Sequence, residues 1–191
     1  MLQAVLGARD LIGTFEKPRY IAFDATLCVH SRSEVVGCTR CLGLCPTNAI
    51  TPACDHVTID ANICAGCGQC ASACPTGAAS YALPPEDALM RRLRAMLIAY
   101  REAGGEQAIV LVHDDSHGAP LIDALARFGD RLPTCVLPFA VNEITQVGLE
   151  SIAAAFAYGA AAMRFMLRAQ PRHDVTGLMR TKHWRIRYSQ D

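Results

Sequence analysis

The run Cys64-x2-Cys67-x2-Cys70-x3-Cys74-Pro75 constrains this chain more than any other feature. Its thiols recur at three- and four-residue steps with Gly66 and Gly68 between them, so one tight turn can direct three sulfurs to the same side and leave backbone N–H groups free. Structural zinc usually takes paired C-x2-C units well separated in sequence. The crowded spacing favours three thiolates around one iron–sulfur cube, with the fourth sent to a second cube. Pro75 closes the chelating turn and begins an extended segment.

The cysteine segment is internally duplicated. Cys45-Pro46-Thr47-Asn48-Ala49-Ile50-Thr51 recurs as Cys74-Pro75-Thr76-Gly77-Ala78-Ala79-Ser80, and Phe23-Asp24-Ala25-Thr26-Leu27-Cys28 matches Ile59-Asp60-Ala61-Asn62-Ile63-Cys64. The first half reads Cys38-x2-Cys41-x3-Cys45-Pro46, and the position completing its spacing is Val35, which cannot ligate iron. Aligned on the repeat, Cys28 is the counterpart of Cys64, followed by an insertion containing His30, Ser31, Arg32 and Ser33 that loops out and returns the chain to the same site. The assignment is therefore one cluster on Cys28, Cys38, Cys41 and Cys74, and another on Cys64, Cys67, Cys70 and Cys45. Cys54, expected in a hairpin turn between Ile50 and Val57, competes with Cys28 as the completing ligand; Cys135 is unassigned. Arg40, His30 and Arg32 flank the first site, whereas no cation lies between Cys64 and Cys74, so the first site is expected to be the less reducing of the two.

Charge and composition narrow the function classes. Of 191 residues, 51% are hydrophobic and 19% charged, with 18 basic and 18 acidic side chains. Disorder and nucleic-acid binding are disfavoured by that balance. Ten cysteines with no secretory signal in view argue for a reducing compartment, taken as the cytoplasm, and against a disulfide framework. The alanine-rich uncharged stretch Ser151 to Met163 falls short of the roughly 20 predominantly apolar residues of a spanning helix, so no membrane span is expected.

Organisation follows from the punctuation of the chain. We read an N-terminal helical segment over 1–19, the cysteine domain over 20–83, a small α/β domain over 84–170 and a basic tail over 171–191, with Pro84-Pro85 at the main boundary. After Pro85 the patterns predict a helix from Glu86 closed by Gly104-Gly105, a strand over 108–113, a helix over 120–128, a strand over 134–139, a helix over 143–158 and a strand over 162–167. That order implies a small parallel sheet with right-handed crossovers. His113 and His117 bracket a polar loop after the first of these strands, where open α/β sheets place ligands. No G-x-G-x-x-G, P-loop or G-x-S-x-G sequence is present.

On its cysteine motifs, residues 20–83 resemble the bacterial dicluster ferredoxins. That resemblance implies an α+β, pseudo-twofold ferredoxin-like domain with two 4Fe-4S clusters relaying single electrons, followed here by the small α/β domain with a parallel sheet. The departure at Val35 leaves the first cluster dependent on Cys28 for its fourth thiolate, whose loss could leave a 3Fe-4S centre. The Cys28-x-His30-Ser31-Arg32 lead into Gly37-Cys38-x-Arg40-Cys41 is similar to longer iron–sulfur proteins found with formate dehydrogenase systems. The Pro133 to Cys135 and Tyr158 to Met166 stretches are similar to the delta subunit of methyl-viologen-reducing hydrogenases, although the extra cysteines of that subunit are absent. The resemblances imply an electron carrier for a partner redox enzyme or electron carrier protein, a formate dehydrogenase among the candidates, more than a stand-alone enzyme. The alternatives are a subunit or fragment of a larger oxidoreductase and a cluster-stabilised redox sensor or scaffold.

Overall fold

A computed structural model describes residues 16–32 and 35–168. Most of the helical segment read over 1–19, Ser33 of the insertion and the basic tail over 171–191 lie outside the described residues, and residues 16–19 carry no regular secondary structure.

The duplicated cysteine sequence folds as two similar halves. The first runs from β1 (Ile21–Phe23) through a 3-10 turn (Ala25–Leu27) and α1 (Arg40–Leu44) to β2 (Ile50–Ala53); the second runs from β3 (His56–Ile59) through α2 (Gln69–Ala73) to β4 (Ala79–Tyr81). Outer strands pair with each other, as do inner strands: β1 with β4 and β2 with β3, both antiparallel, in registers Ile21↔Tyr81 and Ile50↔Ile59. The repeat extends to single hydrogen bonds. Asp24 N–H donates to the Ala78 carbonyl at 2.8 Å, and its counterpart Asp60 N–H donates to Ala49 at 2.9 Å. Each aspartate then accepts from the N–H two residues on, Thr26 at 2.8 Å and Asn62 at 2.7 Å, which turns the chain toward the following cysteine. The apolar centre of this part is Ile50, Val57 and Ala78 packed with Cys28 and Cys70.

The remainder is built on three parallel strands. β5 (Ile109–Asp114) lies between β6 (Val136–Val141) and β7 (Ala162–Phe165). Helix α3 (Glu86–Glu102) precedes β5, α4 (Gly118–Phe128) joins β5 to β6, and α5 (Leu149–Ala157) precedes β7. Glu86 and Asp87 occupy the first turn of α3, where negative charge complements the helix dipole. Leu89, Leu93 and Leu97, four residues apart, place one stripe of α3 in the core with Val110, Val112, Phe139, Val141 and Ala155. Alternation along β5 sends His113 to the opposite face, against the start of α4 at Gly118.

Four predicted elements differ from those observed by more than one residue. The helix expected over 143–158 is broken: Ile144–Gln146 is a 3-10 turn, Gly148 is extended, and α5 starts only at Leu149. Glu143 and Gln146 cap each other's backbone at the start of the 3-10 turn, and the extended backbone of Gly148, the N-cap of α5, separates that turn from the helix. β6 begins at Val136, so Thr134 and Cys135 precede it, and β7 ends at Phe165. Helix α4 starts at Gly118, earlier than the proline that suggested its start, since Pro120 is tolerated in a first turn.

Leu93 is fully buried, at 0% exposure, on the central stripe of α3. Leu93→Ala should destabilise the fold by about 2–5 kcal/mol, read from the midpoint of chemical unfolding.

Candidate metal centre

The turn from Cys64 to Cys70 takes its shape from two left-handed glycines, Gly66 at φ +74° and Gly68 at φ +75°. Neither tolerates a side chain. A Cβ on Gly66 would stand 2.7 Å from the Tyr20 ring, and one on Gly68 would stand 2.6 Å from Gln146 Cβ. The turn encloses a small cavity lined by Cys45, Cys64, Cys67 and Cys70, with Ile21, Ile50 and Ile59 among its apolar walls. Three of these thiols come from the turn itself, and Cys45 comes from the other half of the repeat. Burial pushes the Cys67 thiol above its usual value, the N–H of Gln69 opposes this, and the charges of Cys45 and Cys64 add to it. Cys70 is driven up further, by burial first and then by Cys67, Cys64 and Cys41.

The second group forms around Cys41. Its thiol is raised by burial, then by the charges of Cys38, Cys28 and Cys74, which places it among those three thiols. Cys28, at the end of the 3-10 turn, is buried. The insertion after it is closed by one residue: the carbonyl of His30 accepts from Gly37 N–H at 2.7 Å and Cys38 N–H at 3.5 Å, while its buried ring holds the Cys38 carbonyl through Nδ1 at 2.8 Å. Because a carbonyl only accepts, Nδ1 carries the proton. Ser31 N–H ties the far side of the loop to the Asp55 carbonyl at 3.0 Å. Helices α1 and α2 pack together, and the influence of Cys41 on Cys70 marks where the two groups of thiols approach each other.

Cys45 and Cys74, the two thiols that cross between halves, have the opposite electrostatics. Burial alone would raise Cys45, but hydrogen bonds from the Thr47 hydroxyl and from the N–H groups of Thr47, Ala49 and Ile50 hold it below the usual thiol range. Burial likewise acts against Cys74, and Ala79 N–H, the Thr76 hydroxyl and N–H, and Ala78 N–H outweigh it. The distances match across the repeat: Ala49 N–H to Cys45 Sγ is 3.3 Å and Ala79 N–H to Cys74 Sγ is 3.5 Å, with Thr47 and Thr76 hydroxyls at 3.7 and 3.6 Å. The repeated Cys-Pro-Thr thus builds a donor cradle suited to a thiolate.

Cys54 does not join either group. It occupies the exposed turn between β2 and β3, at φ +55°. Cys135 immediately precedes β6, outside the cysteine segment. His113 and His117 are structural: His113 is buried with Nδ1 at 3.1 Å from the Asp114 carbonyl, and His117 is the N-cap of α4. The Asp114 carboxylate accepts from the N–H groups of His117 at 2.5 Å and Gly118 at 3.0 Å, and meets Arg168 at 3.4 Å. These contacts overcome its partial burial and hold it below the usual carboxylate range.

Among the described residues, no three His, Cys, Asp or Glu side chains converge as ligands of one metal ion. Ligands of a cube bind one iron each, so they surround a volume and do not meet at a point. N–H groups aimed at sulfur, such as Gly66 N–H to Cys64 Sγ at 3.4 Å, supply the charge stabilisation that such a site requires. Gln69, between Cys67 and Cys70, is 2% exposed, and both atoms of its carboxamide lack a protein partner.

Several residues that shape the site carry no motif. Tyr20 fills the space above Gly66, the Tyr81 hydroxyl donates to the Gly66 carbonyl at 2.8 Å, Asn142 Nδ2 donates to that hydroxyl at 2.6 Å, and the Thr145 hydroxyl donates to the Cys67 carbonyl. Burial pushes the Tyr81 phenol up to about 12 despite the Asn142 hydrogen bond. In the sequence these residues are marked by no signal beyond the tight turn that Gly66 and Gly68 make.

A protein-family model described as a 4Fe-4S binding domain matches residues 56–79, from β3 through the glycine turn and α2 into β4. No curated protein and no solved structure matches the chain. The family match supports at least one 4Fe-4S cluster, and with it an iron–sulfur electron-transfer role. No helix among the described residues is long and apolar enough to cross a membrane.

Cys28→Ser should lower the iron content of anaerobically reconstituted protein, whereas Cys54→Ser should leave it unchanged, as measured by iron and acid-labile sulfide per chain. Cluster acquisition should also strengthen with rising pH. Cys41, Cys67 and Cys70 hold their protons above the usual thiol range, so protons compete with iron increasingly as pH falls. Reconstitution yields compared between about pH 6.5 and about pH 9 read that slope.

Proposed function

We propose that residues 20–83 form a ferredoxin-like dicluster domain holding two 4Fe-4S clusters, one on Cys28, Cys38, Cys41 and Cys74 and one on Cys45, Cys64, Cys67 and Cys70. The chain would then relay single electrons to or from a partner redox enzyme. The observation that carries this reading is the cavity lined by Cys45, Cys64, Cys67 and Cys70, thiols from both halves of the repeat. The neighbourhood of Cys41, with Cys38, Cys28 and Cys74 about it, supports the other site.

When bound, each cluster supplies a one-electron couple whose potential depends on charge, hydrogen bonds and solvent. The chain's residues set those conditions. The Cys-Pro-Thr cradles present N–H and hydroxyl donors to the crossing sulfurs, the isoleucines exclude water from one site, and α1 against α2 keeps the sites adjacent. Arg40 is exposed, so its field at the first site is screened by water and its tuning effect is small. His30 acts mainly by fixing the Cys38 carbonyl.

The α/β part after residue 84 serves in this reading to join the cluster domain to its partner. The lead from Cys28 to Cys41 makes a formate dehydrogenase, in a reducing cytoplasm, the first partner class to test. A second reading, a subunit of a larger oxidoreductase, is favoured by α4, on which Leu121, Leu125 and Phe128 are exposed, Phe128 at 88%.

Anaerobic reconstitution should yield about eight irons and eight acid-labile sulfides per chain, in a brown product bleached by dithionite and restored by an oxidised acceptor. Colourless, iron-free protein would overturn the proposal. Capture from an anaerobic extract identifies the partner.

A further inference from the structure

We propose that Tyr81, Asn142 and Thr145 are positioning residues that set the reduction potential of the site formed by Cys45, Cys64, Cys67 and Cys70; this rests on the cluster reading above. The Tyr81 hydroxyl donates to the Gly66 carbonyl at 2.8 Å and accepts from Asn142 Nδ2 at 2.6 Å. The Thr145 hydroxyl donates to the Cys67 carbonyl. All three side chains lie outside the chelating turn, and two of them belong to the segment between β6 and α5.

Their leverage comes from peptide geometry. The Gly66 carbonyl shares a planar unit with Cys67 N–H, and the Cys67 carbonyl shares one with Gly68 N–H. In a trans unit the N–H points away from the C=O, so a carbonyl held on one side of the turn turns its N–H to the other. Tyr81 and Thr145 hold both carbonyls toward β4 and the Asn142 to Gln146 segment. Gln146 lies on that same outer side of Gly68, where a Cβ would meet it. The paired N–H groups therefore face inward, where Cys67 and Gly68 line the cavity and the preceding amide, Gly66 N–H, already donates to Cys64 Sγ.

N–H groups donating to cluster sulfur favour the more negative, reduced state and raise the midpoint. Loosening either carbonyl clamp frees its peptide unit to rotate and weakens that donation. The α/β part of the chain thereby tunes a couple to which it contributes no ligand.

The test is a potentiometric titration of the reconstituted full chain, monitored by electron paramagnetic resonance, with the first site as internal reference. Thr145→Val and Tyr81→Phe should each move the midpoint of the second site negative by on the order of 59 mV, the equivalent of a tenfold change in the reduced-to-oxidised ratio of a one-electron couple. The first site should not move, and Thr145→Ser, which keeps the hydroxyl, should restore the native value. Should Thr145→Val shed iron, Tyr81→Phe decides by the same reading, since it removes one oxygen and leaves the ring in place. Variants with full iron and both midpoints unchanged, or with both midpoints shifted together, overturn the inference while leaving the electron-transfer reading intact. Wild-type protein that binds no cluster overturns both.

Discussion

Thiols crowded into an apolar interior repel one another once ionised, and the fold around residues 20–83 is organised to make that crowding tolerable. Burial drives Cys41, Cys67 and Cys70 toward the neutral thiol, so these positions favour ionisation only when a cationic centre takes the place of the proton. At Cys45 and Cys74 the backbone already does part of this work through N–H and hydroxyl donors. Cys45 and Cys74 are thus primed as thiolates, whereas Cys41, Cys67 and Cys70 are held toward the neutral thiol. The primed pair are the two that cross between halves, and their cradles come from the same Cys-Pro-Thr peptide used twice.

The seam between the two parts of the chain falls directly on a chelating turn. Gly68 fits beneath Gln146, Thr145 reaches the Cys67 carbonyl, and Asn142 reaches Gly66 by way of Tyr81. A scaffold with only a tethering role could have met the cluster domain on any face. This contact instead stiffens the backbone on which ligand orientation depends, and it joins the three-stranded sheet to the metal centre through side chains at the ends of β4 and β6.

Sequence patterns reveal most where the chemistry is local. The thiol spacing, the paired Cys-Pro-Thr peptides and the aspartates that turn the chain toward Cys28 and Cys64 are short-range features, and each can be read from a few neighbouring letters. The leucine stripe of α3 and the valines of β5 are equally legible because their periods of burial are regular. The segment from 143 to 158 is not, since hydrophobic periodicity continues across Gly148 while its extended backbone separates the 3-10 turn from the helix. Thr145 and Cys67 are 78 positions apart, and nothing in the composition around Thr145 distinguishes it from a helix residue. Gly66 and Gly68 mark a tight turn in the sequence, but that Tyr20 and Gln146 pack against it is set by tertiary structure.

His30 has a consequence for how this segment tolerates change. By bonding from its own carbonyl and ring to the backbone of Gly37 and Cys38, it forms a clasp that holds the two ends of the insertion together. Lengthening a closed loop adds little, about 0.6 kcal/mol for each doubling. Lengthening the chain between His30 and Gly37 would therefore cost little and leave the approach of His30 to Cys38 set by the clasp.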